Sequence, residues 1–253
     1  MAQTAAQICT LARQIAKCPG YTAQSGQLLN VILQELCQDY DFETIRKTTS
    51  GTFNTSQVSG PGNQYIAGCG PNALPSDFLR AEKNEIIWYL QGVRYVMINL
   101  DQDEFDALVQ TAGWTSYPLN YFVDVSPLTD GGTANFYVWP PASGAYTYTV
   151  RYFPQKADIT TPETATEVPW FPNQSYLITR LAGELMRITN DDRAPLFLGD
   201  SDASGVIGAG AILRKYIQMK DDTESRVKTV GLDRRRFGRN SWFGLPSTKI
   251  VGW

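Results

Sequence analysis

The run Tyr146-Thr-Tyr-Thr-Val-Arg-Tyr-Phe153 decides how the chain is read. Bulky and polar residues alternate through it, the period-2 pattern of a half-buried strand. Pro140-Pro141-Ala-Ser-Gly144 supplies the turn before it. This β-rich centre is flanked on both sides by helical periodicity. Upstream, Ile8, Leu11, Ala12 and Ile15 mark a helix over 5–17, ended by Pro19-Gly20. Leu28, Leu29, Ile32, Leu33 and Leu36 give a second helix over 25–39 a broad apolar face, with Ser25 as its cap. The two are expected to form a helical hairpin. Downstream, Tyr176, Leu177, Arg180, Leu181 and Leu185 share a helix to about Thr189. Val206, Ile207, Leu213, Tyr216, Ile217 and Met219 place a last helix over 204–224.

Between these ends the sequence predicts six or seven mostly antiparallel strands. Phe42–Thr49 and Thr52–Gln57 read as a hairpin around Ser50-Gly51. A polar, Gly-rich loop follows to Pro71. Glu85–Leu90 and Val93–Ile98 are β-rich runs around Gln91-Gly92, and Asp101–Glu104 opens a short helix with a capping-box pattern. Leu119–Ser126 and Asn135–Trp139 are further strands. A Thr/Pro-rich linker runs from Pro154 to Pro172, and 191–202 reads as a loop. The fold class is α+β. An α-helical bundle from residues 1–41 and 172–224 carries an inserted antiparallel β-module, 42–171, and an extended C-terminal arm, 225–253.

The arm carries a distinct balance of charge. Arg226, Lys228, Arg234, Arg235, Arg236, Arg239 and Lys249 face one acid, Asp233, a net of +6 on a chain whose total is −3, which leaves −9 for residues 1–224. Phe237, Trp242, Phe243 and Trp253 are spaced through it among glycines, and no apolar period persists. Such a segment orders on something other than its own domain. A run of three arginines is commonly just solvated. Interleaved with aromatics it reads as a docked segment, because Arg and aromatic residues are the usual interface anchors.

Composition narrows the chemistry. At 253 residues, 43 % hydrophobic and 19 % charged, the chain can bury a sizeable core. Its 13 Tyr, 11 Phe and 6 Trp suit strands and interfaces. No apolar run approaches the ~20 residues of a membrane span. The N-terminus lacks the basic and apolar regions of a signal peptide, so the expected setting is the cytosol. There is no histidine, the commonest general base and metal ligand. Cys9, Cys18, Cys37 and Cys69 form no CxxC pair. Cys9 and Cys18, on one helix, would stand about 13 Å apart, too far to bridge. Small buried reduced thiols are expected, and neither a zinc site nor any cofactor. Gly205-Val-Ile-Gly-Ala-Gly-Ala lacks the Gly-Lys-Ser/Thr of a Walker loop and reads as close helix packing. Asp191-Asp192 and Asp200-Ser-Asp202 do not have EF-hand spacing and read as solvated loop acids. Asp101, Asp103, Glu104 and Asp106 suit a helix N-terminus. No nucleophile motif is present, so the chain is expected not to be an enzyme.

The sequence resembles the head-to-tail connector (adaptor, or tail accessory) proteins of short-tailed bacteriophages. The likeness is carried by Ile8-Cys-Thr-Leu-Ala-Arg13 with Ser25-Gly-Gln-Leu-Leu-Asn-Val-Ile-Leu33, and by Leu74-Pro-Ser-Asp-Phe-Leu-Arg80. It continues in Val138-Trp-Pro-Pro-Ala-Ser-Gly-Ala-Tyr146, Val150-Arg-Tyr-Phe153, and Pro169-Trp-Phe-Pro172 before Tyr176-Leu-Ile-Thr-Arg-Leu-Ala-Gly-Glu184. It spans most of residues 5–220. The resemblance implies a virion protein at the head–tail junction, assembled in the bacterial host cytoplasm. It implies a ring, usually of twelve copies, beneath the portal protein, docking nozzle or tail-fibre proteins and letting packaged DNA pass through its channel. The arm residues Arg234, Arg235, Arg236, Phe237, Arg239, Trp242, Phe243 and Trp253 are then the expected contact with the portal or a neighbouring subunit. The alternative is a nucleic-acid-binding module whose basic arm grips phosphates, with an affinity that falls steeply with salt.

Overall fold

The computed structural model describes residues 2–55, 68–109, 116–125, 132–199 and 207–230. Its helices are α1 (Ala5–Ala16), α2 (Thr22–Asp39), α3 (Gln102–Val109), α4 (Gln174–Ile188), α5 (Ala194–Leu198) and α6 (Ala209–Val230). Its strands are β1 (Lys47–Thr52), β2 (Asn72–Ala73), β3 (Phe78–Leu90), β4 (Val93–Asn99), β5 (Asn120–Asp124), β6 (Asn135–Trp139) and β7 (Thr147–Pro154). The chain divides into two compact units. One is built from Met1–Ile32 and the chain from Ile159 onward, the other from Leu33–Asp158.

In the first unit, α1 starts at a capping box. The Thr4 hydroxyl accepts from the Gln7 N–H, and the Gln7 side chain returns the bond to the Thr4 N–H. The helix stops because Lys17 turns left-handed (φ 56°) and its N–H closes back on Arg13 and Gln14. Arg13 then ties down the turn, donating to the Pro19 carbonyl and the Thr22 hydroxyl. Ser25 is not the cap of α2: the helix begins at Thr22, and Ser25 is buried inside it, its hydroxyl donating to the Thr22 carbonyl. Ile8, Cys9 and Ala12 are the buried stripe of α1, and α1 packs chiefly on α4. Helix α4 is also packed by α5 and α6. Small residues set these approaches. A Cβ on Gly183 would stand 2.6 Å from the Leu198 side chain, and one on Gly208 would overlap the Gly199 carbonyl. Helix α5 falls inside a stretch expected to be loop. Asp191 organises its start, accepting from the Arg193 N–H and guanidinium, and Pro195 sits in its first turn.

The Thr/Pro-rich stretch is bonded to this unit from Ile159. Asn30 brackets Ile159, donating to its carbonyl and accepting from its N–H. Ala5 and Ala6 donate to the carbonyls of Glu167 and Ala165. Phe171, from Pro169-Trp-Phe-Pro172, is buried with its ring against Tyr176 of α4 and Tyr216 of α6.

The second unit is a seven-stranded sheet in the order β1-β7-β3-β4-β5-β6-β2. All neighbours pair antiparallel except β4 and β5, which are parallel. The hairpin expected around Ser50-Gly51 is not there. Strand β1 runs through both residues and pairs with β7, Ser50 opposite Thr149 and Gly51 opposite Tyr148. Gly51 serves packing rather than turning, since a Cβ there would meet the Tyr148 hydroxyl at 2.6 Å. The tight turn lies instead at Gln91-Gly92, where both residues have positive φ (49° and 81°), as a two-residue hairpin between twisted strands requires.

The sheet curls until its two ends share one core. Phe53, just past β1, packs its ring against Phe136 of β6, which lies five places away in the strand order. The Asn54 N–H donates to the Asn72 side-chain oxygen, and the Asn72 amide donates to the Phe136 carbonyl, so one buried side chain joins the two edges. Inside the curl lie Phe53, Phe78, Ile86, Trp88, Met97, Tyr121, Val138, Tyr148 and Val150. Strand β6 is buried on both faces. Phe136 and Val138 point into the curl, while Tyr137 and Trp139 point outward beneath α3 with Phe105 and Phe122.

Candidate functional site

The interface residues expected from the sequence, Arg234, Arg235, Arg236, Phe237, Arg239, Trp242, Phe243 and Trp253, lie outside the described residues. The start of the arm is corrected. Helix α6 continues six residues past Glu224, to Val230, so 225–230 are helix and not extended chain. The reason is local. From Ala211 to Val230 the sequence has no Gly or Pro, the residues that most disfavour a helix.

Among the described residues, the exposed apolar surface of the second unit concentrates on β4. Six of its seven residues are exposed, and only Met97 enters the core. Val96 and Ile98 are 44 % and 64 % exposed. On the inward face Tyr95 stacks on Trp88 at 4.7 Å, and Tyr117 lies on the same indole at 5.8 Å. Tyr146 closes the cluster at 5.1 Å. Trp88 is itself buried and its ring N–H donates to the Pro118 carbonyl. The outer rings Tyr95 and Tyr117 stay exposed, so the core opens at this end onto an aromatic rim.

The motif Leu74-Pro-Ser-Asp-Phe-Leu-Arg80 is a pair of clamps. Arg80 reaches the C-terminus of α2, where four carbonyls have no helical partner. Its guanidinium donates to the carbonyls of Cys37, Gln38 and Tyr40 and to the Asp41 carboxylate, and lies over the Phe153 ring. Asp77 joins Lys47 of β1 to the Tyr152 hydroxyl of β7. Burial alone would raise the Asp77 pKa. The hydrogen bonds from Lys47 and Tyr152 outweigh it and hold the carboxyl below its ordinary range. Burial, and then the bond to Asp77, push Tyr152 up to about 12. The sequence alone assigns Arg80 no role. Its partners lie some 40 positions upstream, and no local period signals them.

The four cysteines are free and buried. Burial raises the thiols of Cys9, Cys18 and Cys37, away from the nucleophilic thiolate. Asp191 is engaged by Arg193 and held at a pKa of about 2, while Asp200 and Asp202 lie outside the described residues. No three potential metal ligands cluster among the described residues. An open groove along α1, lined by Gln3, Gln7, Leu11 and Gln14 among others, offers amides and methyl groups and no charge. No described helix is long and apolar enough to cross a membrane.

A family model described as SU10 adaptor protein matches residues 3–233. No curated protein matches the chain. The chain belongs to the SU10 adaptor protein family, in agreement with its resemblance to bacteriophage head-to-tail adaptors.

Proposed function

We propose that this member of the SU10 adaptor family is a structural virion protein that forms a ring between portal and tail. The family match over 3–233 carries the reading. In it, twelve copies continue the DNA channel beneath the portal and present a surface to nozzle or tail-fibre proteins. The segment after Val230, with Arg234, Arg235, Arg236, Phe237, Arg239, Trp242, Phe243 and Trp253, docks on the portal or on a neighbouring subunit. Its net positive charge against an acidic body supports this, because opposite patches steer association. A heterologous contact of arm to body is the kind that closes rings. The two compact units, one of Met1–Ile32 with the chain from Ile159 onward and one of Leu33–Asp158, are the parts the ring would be built from.

The test is co-sedimentation with the portal of its phage, comparing the full chain with one ending at Val230. The full chain is expected to join the portal in a defined ring and the shortened one to stay free. Equal attachment of both chains sinks the role given to the arm. Attachment by neither, with DNA binding that weakens by about one power of salt concentration per phosphate contact, makes the chain a nucleic-acid-binding module instead.

A further inference from the structure

The curled sheet has a gap in its hydrogen bonding beside β4. The Ile98 N–H donates to the Leu119 carbonyl and the Leu100 N–H to the Tyr121 carbonyl, both 2.9 Å. Even-numbered residues of β4 therefore turn their peptide groups toward β5, as alternation along a strand requires. But β5 pairs with β4 only at Ile98↔Asn120 and Asn99↔Tyr121. Before Asn120 the chain follows β6 instead: Leu119 donates to the Trp139 carbonyl, Ser116 to that of Pro141, and Ser143 to that of Ser116. Arg94 and Val96 thus face outward with no strand beside them among the described residues. The side chains bordering this edge are apolar and exposed. Val93, Tyr95 and Tyr117 lie on the aromatic rim, and Val96 and Ile98 on the outer face. Soluble proteins normally blunt such an edge with charge, proline or a bulge. Here Arg94 is the one charged residue of β4, and the Arg94 guanidinium is 3.8 Å from the Glu85 carboxylate across the β3 pairing.

We propose that the open edge of β4 takes Ser247–Trp253 of a second copy as an added strand. This rests on the ring reading, in which copies of the chain meet. Strand addition joins main-chain hydrogen bonds to side-chain pockets on alternate residues, and Ser-Thr-Lys-Ile-Val-Gly-Trp253 suits it. Ile250 and Val251 are β-branched strand formers, and Trp253 matches an aromatic rim. The 23 residues 231–253 span about 75 Å when extended. Charge agrees as well. Two residues after β4 the exposed Asp101, Asp103 and Glu104 begin α3, while the arm brings Arg234, Arg235, Arg236 and Arg239 ahead of its apolar end.

Disulfide trapping in the full chain tests this. One sample carries Val96→Cys, and its partner carries Cys singly at Lys249, Ile250, Val251 or Gly252. The two are mixed, free and with portal present, and the native thiols are all buried. The expected result is an interchain disulfide at alternate positions of the four and none with a Thr10→Cys control. Equal trapping at all four positions describes a loose tether and overturns the added strand. A disulfide formed only within one chain, when both cysteines are placed on it, overturns the second copy. No disulfide in either sample overturns the proposal, while portal co-sedimentation of the same variants judges the ring reading separately.

Discussion

Strands β4 and β6 are read alike in the sequence, Val-Arg-Tyr-Val-Met-Ile-Asn against Asn-Phe-Tyr-Val-Trp. They end in opposite environments of the same sheet. Strand β6 is sandwiched, its Phe136 and Val138 inside the curl and its Tyr137 and Trp139 under α3. Strand β4 gives only Met97 to the core and exposes the rest. Apolar content therefore does not separate a strand enclosed in the fold from one that lies exposed. What separates them is whether another element lies on each face, and that depends on α3 and on how far β5 extends.

The largest expected effect tests that contrast directly. Phe136→Ala leaves a cavity between the two ends of the sheet and should lower unfolding stability by about 3–5 kcal/mol. Val96→Thr on β4 should stay within about 0.5 kcal/mol. Urea unfolding of both variants measures the pair, and equal losses would mean β4 is covered in the folded chain.

A smaller effect is expected at the clamp. Arg80→Ala strands carbonyls at the end of α2 and should cost about 2–3 kcal/mol by the same assay. Arg80→Lys should recover little, because an ammonium lacks the fork that serves several acceptors at once. Full recovery by lysine would reduce the clamp to simple charge.

The smallest effect is in pH dependence. Asp77 is held below its ordinary range, so its contribution is present at neutral pH and lost as pH falls through that lowered value. Tyr152 is raised to about 12 from 10.0. Its contribution is intact below pH 10 and lost as pH rises through 12, because the unfolded chain gives up that proton first. Tyr152→Phe should shrink the alkaline fall in melting temperature and, by removing a bond to Asp77, the acid one too. Buried Tyr121 and Tyr148, also raised by desolvation, keep part of the alkaline limb. Unchanged limbs on both sides would show that the Asp77–Tyr152 bond contributes nothing to folding.

The helices α1, α2, α4 and α6 were legible because a buried stripe at 3.6-residue spacing is a property of the local sequence. Strand β7 was legible by its alternation, β4, β6 and the end of β3 as β-rich runs, and the helix after Asp101 by its acids. Ser50-Gly51 misled because glycine also permits close packing, here under Tyr148. Helix α5 was missed because five residues are too few to show a period. The basic and aromatic composition of residues 231–253 is plain in the sequence, whereas the exposure of β4 is not.

By itself, then, the sequence determined a β-rich centre between helical ends, the reduced thiols, the charge division between arm and body, and the adaptor family. Each is encoded in residues near one another along the chain or in total composition. Only the tertiary structure decided that the sheet curls through Asn72, that Arg80 closes α2, and that β4 is exposed among the described residues while β6 is enclosed. Those outcomes depend on contacts between segments tens of residues apart, whose pairing is set by packing and hydrogen-bond satisfaction across the whole sheet rather than by any local pattern.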